Sequence, residues 1–182
     1  MPRSGDSAAV KATSFLWYGK TLEDMAERHF MDHEILVLFE GEAAKKSHQE
    51  LFLLPDAQYR IIEGAITEDV AAVFPAVLGE LHIAAGWETI LSVALWSRLG
   101  PSVQDVATLL KKSGKTDADL FSPEDLDLRD IFSLFCREER FDFLRKICNM
   151  AKANVESRCG RKTKVHCHLV SEESEKIVAS SL

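Results

Sequence analysis

The chain has 182 residues, 46% of them hydrophobic and 28% charged, with a net charge of −7. That is ordinary globular usage, and the length can bury a sizeable core in one domain or two small ones. No apolar run approaches the roughly 20 residues that span a bilayer, the first ten residues are polar, and Cys148, Cys159 and Cys167 crowd together behind Cys136. A membrane span, a signal peptide and a spread disulfide framework are therefore not expected, and reduced thiols in a cytoplasmic or nuclear compartment are.

Residues 1–13 are small and polar and read as a loose terminus. The aromatic run SFLWY at 14–18 is either a strand or a docking segment, and TLED at 21–24 predicts a helix start that runs to His33. The continuous apolar run at 34–39 is open between strand and helix, because periodicity cannot separate the two in so short a stretch. Apolar runs at 49–54 and 59–62 flank Pro55 and Asp56, a pattern consistent with a hairpin. Residues 14–66 are expected to be a mixed α/β segment.

The helical signal strengthens at Thr67, where a capping threonine precedes Glu68 and Asp69. Val70, Val73, Phe74, Val77, Leu78 and Leu81 follow at helical spacing, with a kink or restart expected at Pro75. A second helix is predicted over 87–99, closed by Gly100 and Pro101, and a third from Ser102. SPED at 122–125 is a strong start signal for a long helical stretch, broken by the polar residues 137–140 as a turn. The fold class expected is mainly α. It is a helical bundle over 67–150, extending to 155, with Val73, Leu78, Leu91, Leu95, Leu109, Leu110, Ile131, Phe135, Phe143 and Leu144 in its core. Residues 156–182 read as a partly ordered tail, basic and then acidic.

Three constellations carry possible chemistry. Cys159, His166, Cys167 and His168 are zinc-ligand types, but adjacent ligands strain a tetrahedral site and the spacing fits no usual zinc pattern, so a solvated segment is expected and metal binding there is open. Arg158, Arg161, Lys162 and Lys164 form a basic run able to contact phosphates, whereas the acidic body repels polyphosphate. Nucleic acid would thus bind through the tail or not at all. The order His29, Pro55-Asp56, Glu63 resembles the cap-snatching endonucleases of segmented negative-strand RNA viruses. That resemblance implies divalent-metal-dependent cleavage with Asp56 and Glu63 as ligands. The chain departs from it in the short step from Asp56 to Glu63 and in having no lysine between 67 and 102.

The stretches VAAVFPAVLGEL (70–81), WETILSVALWSRLG (87–100), VATLLKKSG (106–114), SPEDLDLRDIFSLF (122–135) and the element Arg140-Phe-Asp142 resemble the death-effector-domain branch of the death fold over 70–150. The resemblance implies a six-helix bundle that joins to its own kind through surface charges. With no complete catalytic set and no glycine-rich phosphate loop, the expected function is a non-enzymatic module without a cofactor. It would bind another protein or a second copy of itself through Arg137, Glu138, Glu139, Arg140 and Asp142. The alternative expectation is the metal-dependent endonuclease.

Overall fold

Five apolar runs come together as one sheet. Strands β1 (Ile35–Phe39), β2 (Tyr59–Ile61), β3 (Glu80–Ala85), β4 (Lys164–Ser171) and β5 (Lys176–Ser180) lie in the order β2-β1-β3-β4-β5. The first four run parallel, and β5 closes the edge antiparallel to β4. Parallel neighbours need a crossover, and helices supply it. These are α1 (Gly41–Phe52), α2 (Ile66–Val73), α3 (Trp87–Leu95), α4 (Val103–Lys112), α5 (Leu128–Arg137) and α6 (Phe141–Cys159). This computed structural model describes residues 35–73, 79–112, 127–159 and 163–181, all within one compact unit, Asp32–Leu182. Among the described residues, no helix is long and apolar enough to cross a membrane.

Strand alternation divides the sheet into two unequal faces. Leu81, Ile83, Ala85, Val165, Cys167 and Leu169 point to the larger core, where α3 and α6 pack and where Ile90, Leu91, Leu144, Ile147 and Phe135 are buried. The opposite face is covered by α1, over a small cluster of Phe39, Ala44, Ala84 and Val170. Glu80, His82, His166 and His168 share that second face by the same alternation, with His82 paired to His166 across β3 and β4.

The mainly α expectation is therefore overturned: the protein is an α/β fold around a mixed five-stranded sheet. The stretch at 80–85 reads as the end of a helix because Leu81 continues the helical spacing of Val70, Val73, Phe74, Val77 and Leu78, and the Glu80-Leu81-His82-Ile83 alternation is too short to outweigh it. It becomes β3, inside the region expected to be a helical bundle. The expected tail becomes β4 and β5, and β4 sits inside the sheet. Its polar look comes partly from His166, half-buried, and His168, buried against the His82 ring. No hairpin forms at 49–62. Residues 49–52 end α1, Leu53 takes a left-handed conformation (φ 52°) and donates its N–H to Gln49 O, and β2 returns parallel to β1.

Other local signals hold in part. The run at 34–39 resolves to strand β1, but the expected cap at Thr67 does not form: α2 already begins at Ile66, and Thr67 is buried inside it with its Oγ1 lacking a hydrogen-bond partner among the described residues. Ser102 and Asp105 hydrogen-bond reciprocally at the start of α4. A capping box of Asp127 and Asp130 opens α5, whereas SPED, like the elements expected before residue 35, lies outside the described residues. The charged run at 137–140 is the turn between α5 and α6, with Glu139 left-handed at φ 52°.

Candidate metal centre

The His-x-His sequence of β4 puts His166 and His168 on the α1 side of the sheet, and strand pairing sets His82 of β3 next to them. Helix α1 then lowers His48 onto the same spot. The His48, His82 and His168 side chains are 0%, 4% and 3% exposed. His48 Nε2 lies 2.9 Å from His82 Nδ1, and His168 Nε2 lies 3.3 Å from the same atom. Three ring nitrogens from three different elements thus converge on one point, with their ligand atoms all within 4.8 Å of one another.

Two of the outward-facing nitrogens are anchored. His48 Nδ1 is 2.8 Å from the Tyr59 hydroxyl on β2, and His168 Nδ1 is 2.9 Å from Ser180 Oγ on β5, the residue registered opposite it. His82 Nε2 faces Glu80 Oε2 at 3.7 Å, beyond hydrogen-bond range. The Phe52 ring lies over the group, 4.3 Å from the His48 ring and 5.0 Å from those of His82 and His168. It is 39% exposed, so it separates the histidines from solvent.

Burial governs the protonation of this group. Desolvation first, and the neighbouring His82 second, push His48 down to about 3. His168 falls to about 3 by burial and then by the other histidines. Burial and His166 bring His82 to about 4 against the opposing pull of Glu80. All three are neutral imidazoles at physiological pH, the form that binds metals. Burial pushes the Tyr59 hydroxyl up to about 12, so it stays protonated.

The zinc-type residues singled out at the chain's end are separated by the fold. His166 and His168 face α1, Cys167 faces the opposite core, and Cys159 ends α6. His48 and His82, scattered in the sequence, replace the two cysteines around His168. The signal that bore on this was the alternation at 166 and 168, which on a strand puts both rings on one face.

The remaining expected site residues lie elsewhere. Asp56 sits in a 3-10 turn, paired with Lys45 at 3.0 Å and Gln49 at 2.7 Å, and neither it nor Glu63 belongs to a metal-competent group among the described residues. His29 is not among the described residues. Arg137, Glu138, Glu139, Arg140 and Asp142 surround the α5–α6 turn, with local pairs Arg137–Glu138 at 3.5 Å and Asp142–Arg145 at 3.8 Å. Arg158 lies over the Trp96 ring at 4.0 Å, Lys164 pairs with Glu80 at 3.3 Å, and Arg161 and Lys162 are not among the described residues.

Beyond the carboxyl ends of β1 and β3, where the strand order reverses, there is a crevice of about 510 Å³. Glu40 fills its base, accepting hydrogen bonds from Gly86 N and Thr89 Oγ1 at the start of α3. Among the described residues, Glu88, Glu172 and Glu173 line it with one cation, Arg129, a balance that disfavours phosphate ligands. Comparisons with protein-family models, with curated proteins and with solved structures find no match to this chain.

Proposed function

We propose that this protein binds a divalent transition metal ion of the zinc class through His48 Nε2, His82 Nδ1 and His168 Nε2. The observation that carries the reading is the convergence of three neutral, buried imidazole nitrogens at 2.9 and 3.3 Å. Ligand bonds of about 2.0–2.1 Å place neighbouring ligands of a tetrahedral ion roughly 3.4 Å apart. The observed spacing is close to that, so a small opening of the cluster accommodates the ion. A proton bridges only one pair of these nitrogens well, whereas a cation satisfies all three lone pairs.

The outer partners suit the same role. With Nε2 as ligand, His48 donates Nδ1–H to Tyr59 and His168 donates Nδ1–H to Ser180, which sets tautomer and ring orientation. Three protein ligands leave one position of a tetrahedral ion for water or a small anion, the arrangement of catalytic rather than structural zinc. This reading departs from the expectation of a cofactor-free module. Loading the chelator-stripped protein with Co²⁺ tests it. A visible band of tetrahedral cobalt is expected for wild type and is expected to be lost in His168→Ala. A wild type without the band, or a mutant that keeps it, rejects the proposal.

A further inference from the structure

We infer a second cation site on the outer side of His82, formed by Glu80, His82 Nε2 and His166, so that the His82 ring bridges two metal ions. The inference rests on the inner site proposed above, and four observations carry it. Glu80, His82 and His166 place their ligand atoms within 4.8 Å of one another, a second group that shares His82 with the first. His82 is 4% exposed, yet its Nε2 has no hydrogen-bond partner. A buried ring nitrogen without a partner is costly, and a group facing it that can hold a cation removes that cost. Its separation from Glu80 Oε2, 3.7 Å, is too long for a hydrogen bond but near the spacing of two ligands on one ion, roughly 3.4 Å. Lys164 pairs with the other carboxylate oxygen, Oε1, at 3.3 Å, which orients Oε2 toward His82.

The geometry follows from the sheet. Glu80 and His82 alternate on β3, His166 stands opposite His82 on β4, and all three point to the α1 side. The His82 and His166 rings lie 4.8 Å apart between centroids. When the outer ion binds, His82 Nε2–H gives its proton to solvent, the imidazolate ligates through both nitrogens, and no electrons move. Two bonds of about 2.0–2.1 Å plus the width of the ring put the ions about 6 Å apart. Imidazole with carboxylate suits zinc and copper.

The two positions differ in access. Phe52 covers the inner group, whereas Glu80 and His166 are half-buried, so the outer ion keeps open positions that exchange with water. The outer position thus exchanges ligands more freely than the inner one, which Phe52 covers.

Metal content of the full chain separates the possibilities. The protein is stripped with chelator, equilibrated with Zn²⁺, desalted and analysed for zinc. We expect two equivalents for wild type and one each for Glu80→Gln and His166→Gln. In the copper-loaded protein, paramagnetic resonance is expected to show a coupled pair in wild type and an isolated ion in Glu80→Gln. One equivalent in wild type, lost in His168→Ala and unchanged in Glu80→Gln and His166→Gln, overturns the second site and leaves the first standing. No retained zinc in wild type overturns both.

Discussion

Removing the His168 ring tests the metal reading through stability. A ligand that binds only the native state stabilises by RT ln(1 + [L]/Kd), about 2.7 kcal/mol at one hundred times Kd. For 182 residues the unfolding entropy near the midpoint is about 0.4 kcal/mol per kelvin, so zinc at that excess raises Tm by about 7 °C. His168→Ala removes one of three ligands and also the partner of Ser180 Oγ. The metal-free mutant is expected to be less stable by about 1–3 kcal/mol, from a buried polar partner lost and a cavity left beside His82. That loss alone is uninformative, since any buried side chain produces one. The zinc-dependent increment decides: scanning calorimetry with zinc and with chelator is expected to give a shift of about 7 °C in wild type and under 2 °C in the mutant. Equal shifts in the two proteins, or none in wild type, refute the reasoning.

The metal-free protein has a predictable pH dependence. His48 and His168 titrate near 3 and His82 near 4 when folded, against 6.5 unfolded. Between those values the unfolded chain binds more protons, so stability falls as pH drops from about 6.5 toward 4, by at most about 1.4 kcal/mol per pH unit for each histidine. Urea midpoints in chelator at pH 7.5 and 5.0 check this, and an unchanged midpoint rejects the burial argument. Phe135 is 1% exposed and packs on the Phe143 and Trp87 rings, so Phe135→Ala is expected to cost about 3–5 kcal/mol in the same assay. Glu40→Ala removes both hydrogen bonds at the start of α3 and is expected to cost about 1–2 kcal/mol, read the same way. Burial pushes the Cys148 thiol up to about 12 and the Cys167 thiol well above its usual value. At pH 8 an alkylating reagent followed by mass spectrometry is expected to label Cys136 and Cys159 far sooner than Cys148 and Cys167 in the native chain.

Sequence by itself determined some local boundaries of this chain and much of its larger core. Caps and stripes act over one or two helical turns, so the start of α4 at Ser102 and Asp105, the turn at 137–140, and the burial of Val73, Leu91, Leu110, Ile131, Phe135, Phe143 and Leu144 were legible. Leu95 and Leu109, expected in the same core, are half-buried, and Leu78 lies outside the described residues. The tertiary structure alone decided the sheet. The alternation of Glu80, Leu81, His82 and Ile83 is too short to outweigh the helical spacing that runs up to Leu81, so 80–85 reads as helix until β1 and β4 flank it. It also decided the metal centre. The local pattern at 166 and 168 put two rings on one face, but the rings that complete the group stand 34 and 86 positions from their partners. Parallel pairing set His82 beside His166, and the α1 crossover brought His48 onto the same face. Such convergence follows from strand register and helix packing, which no local spacing of histidines encodes.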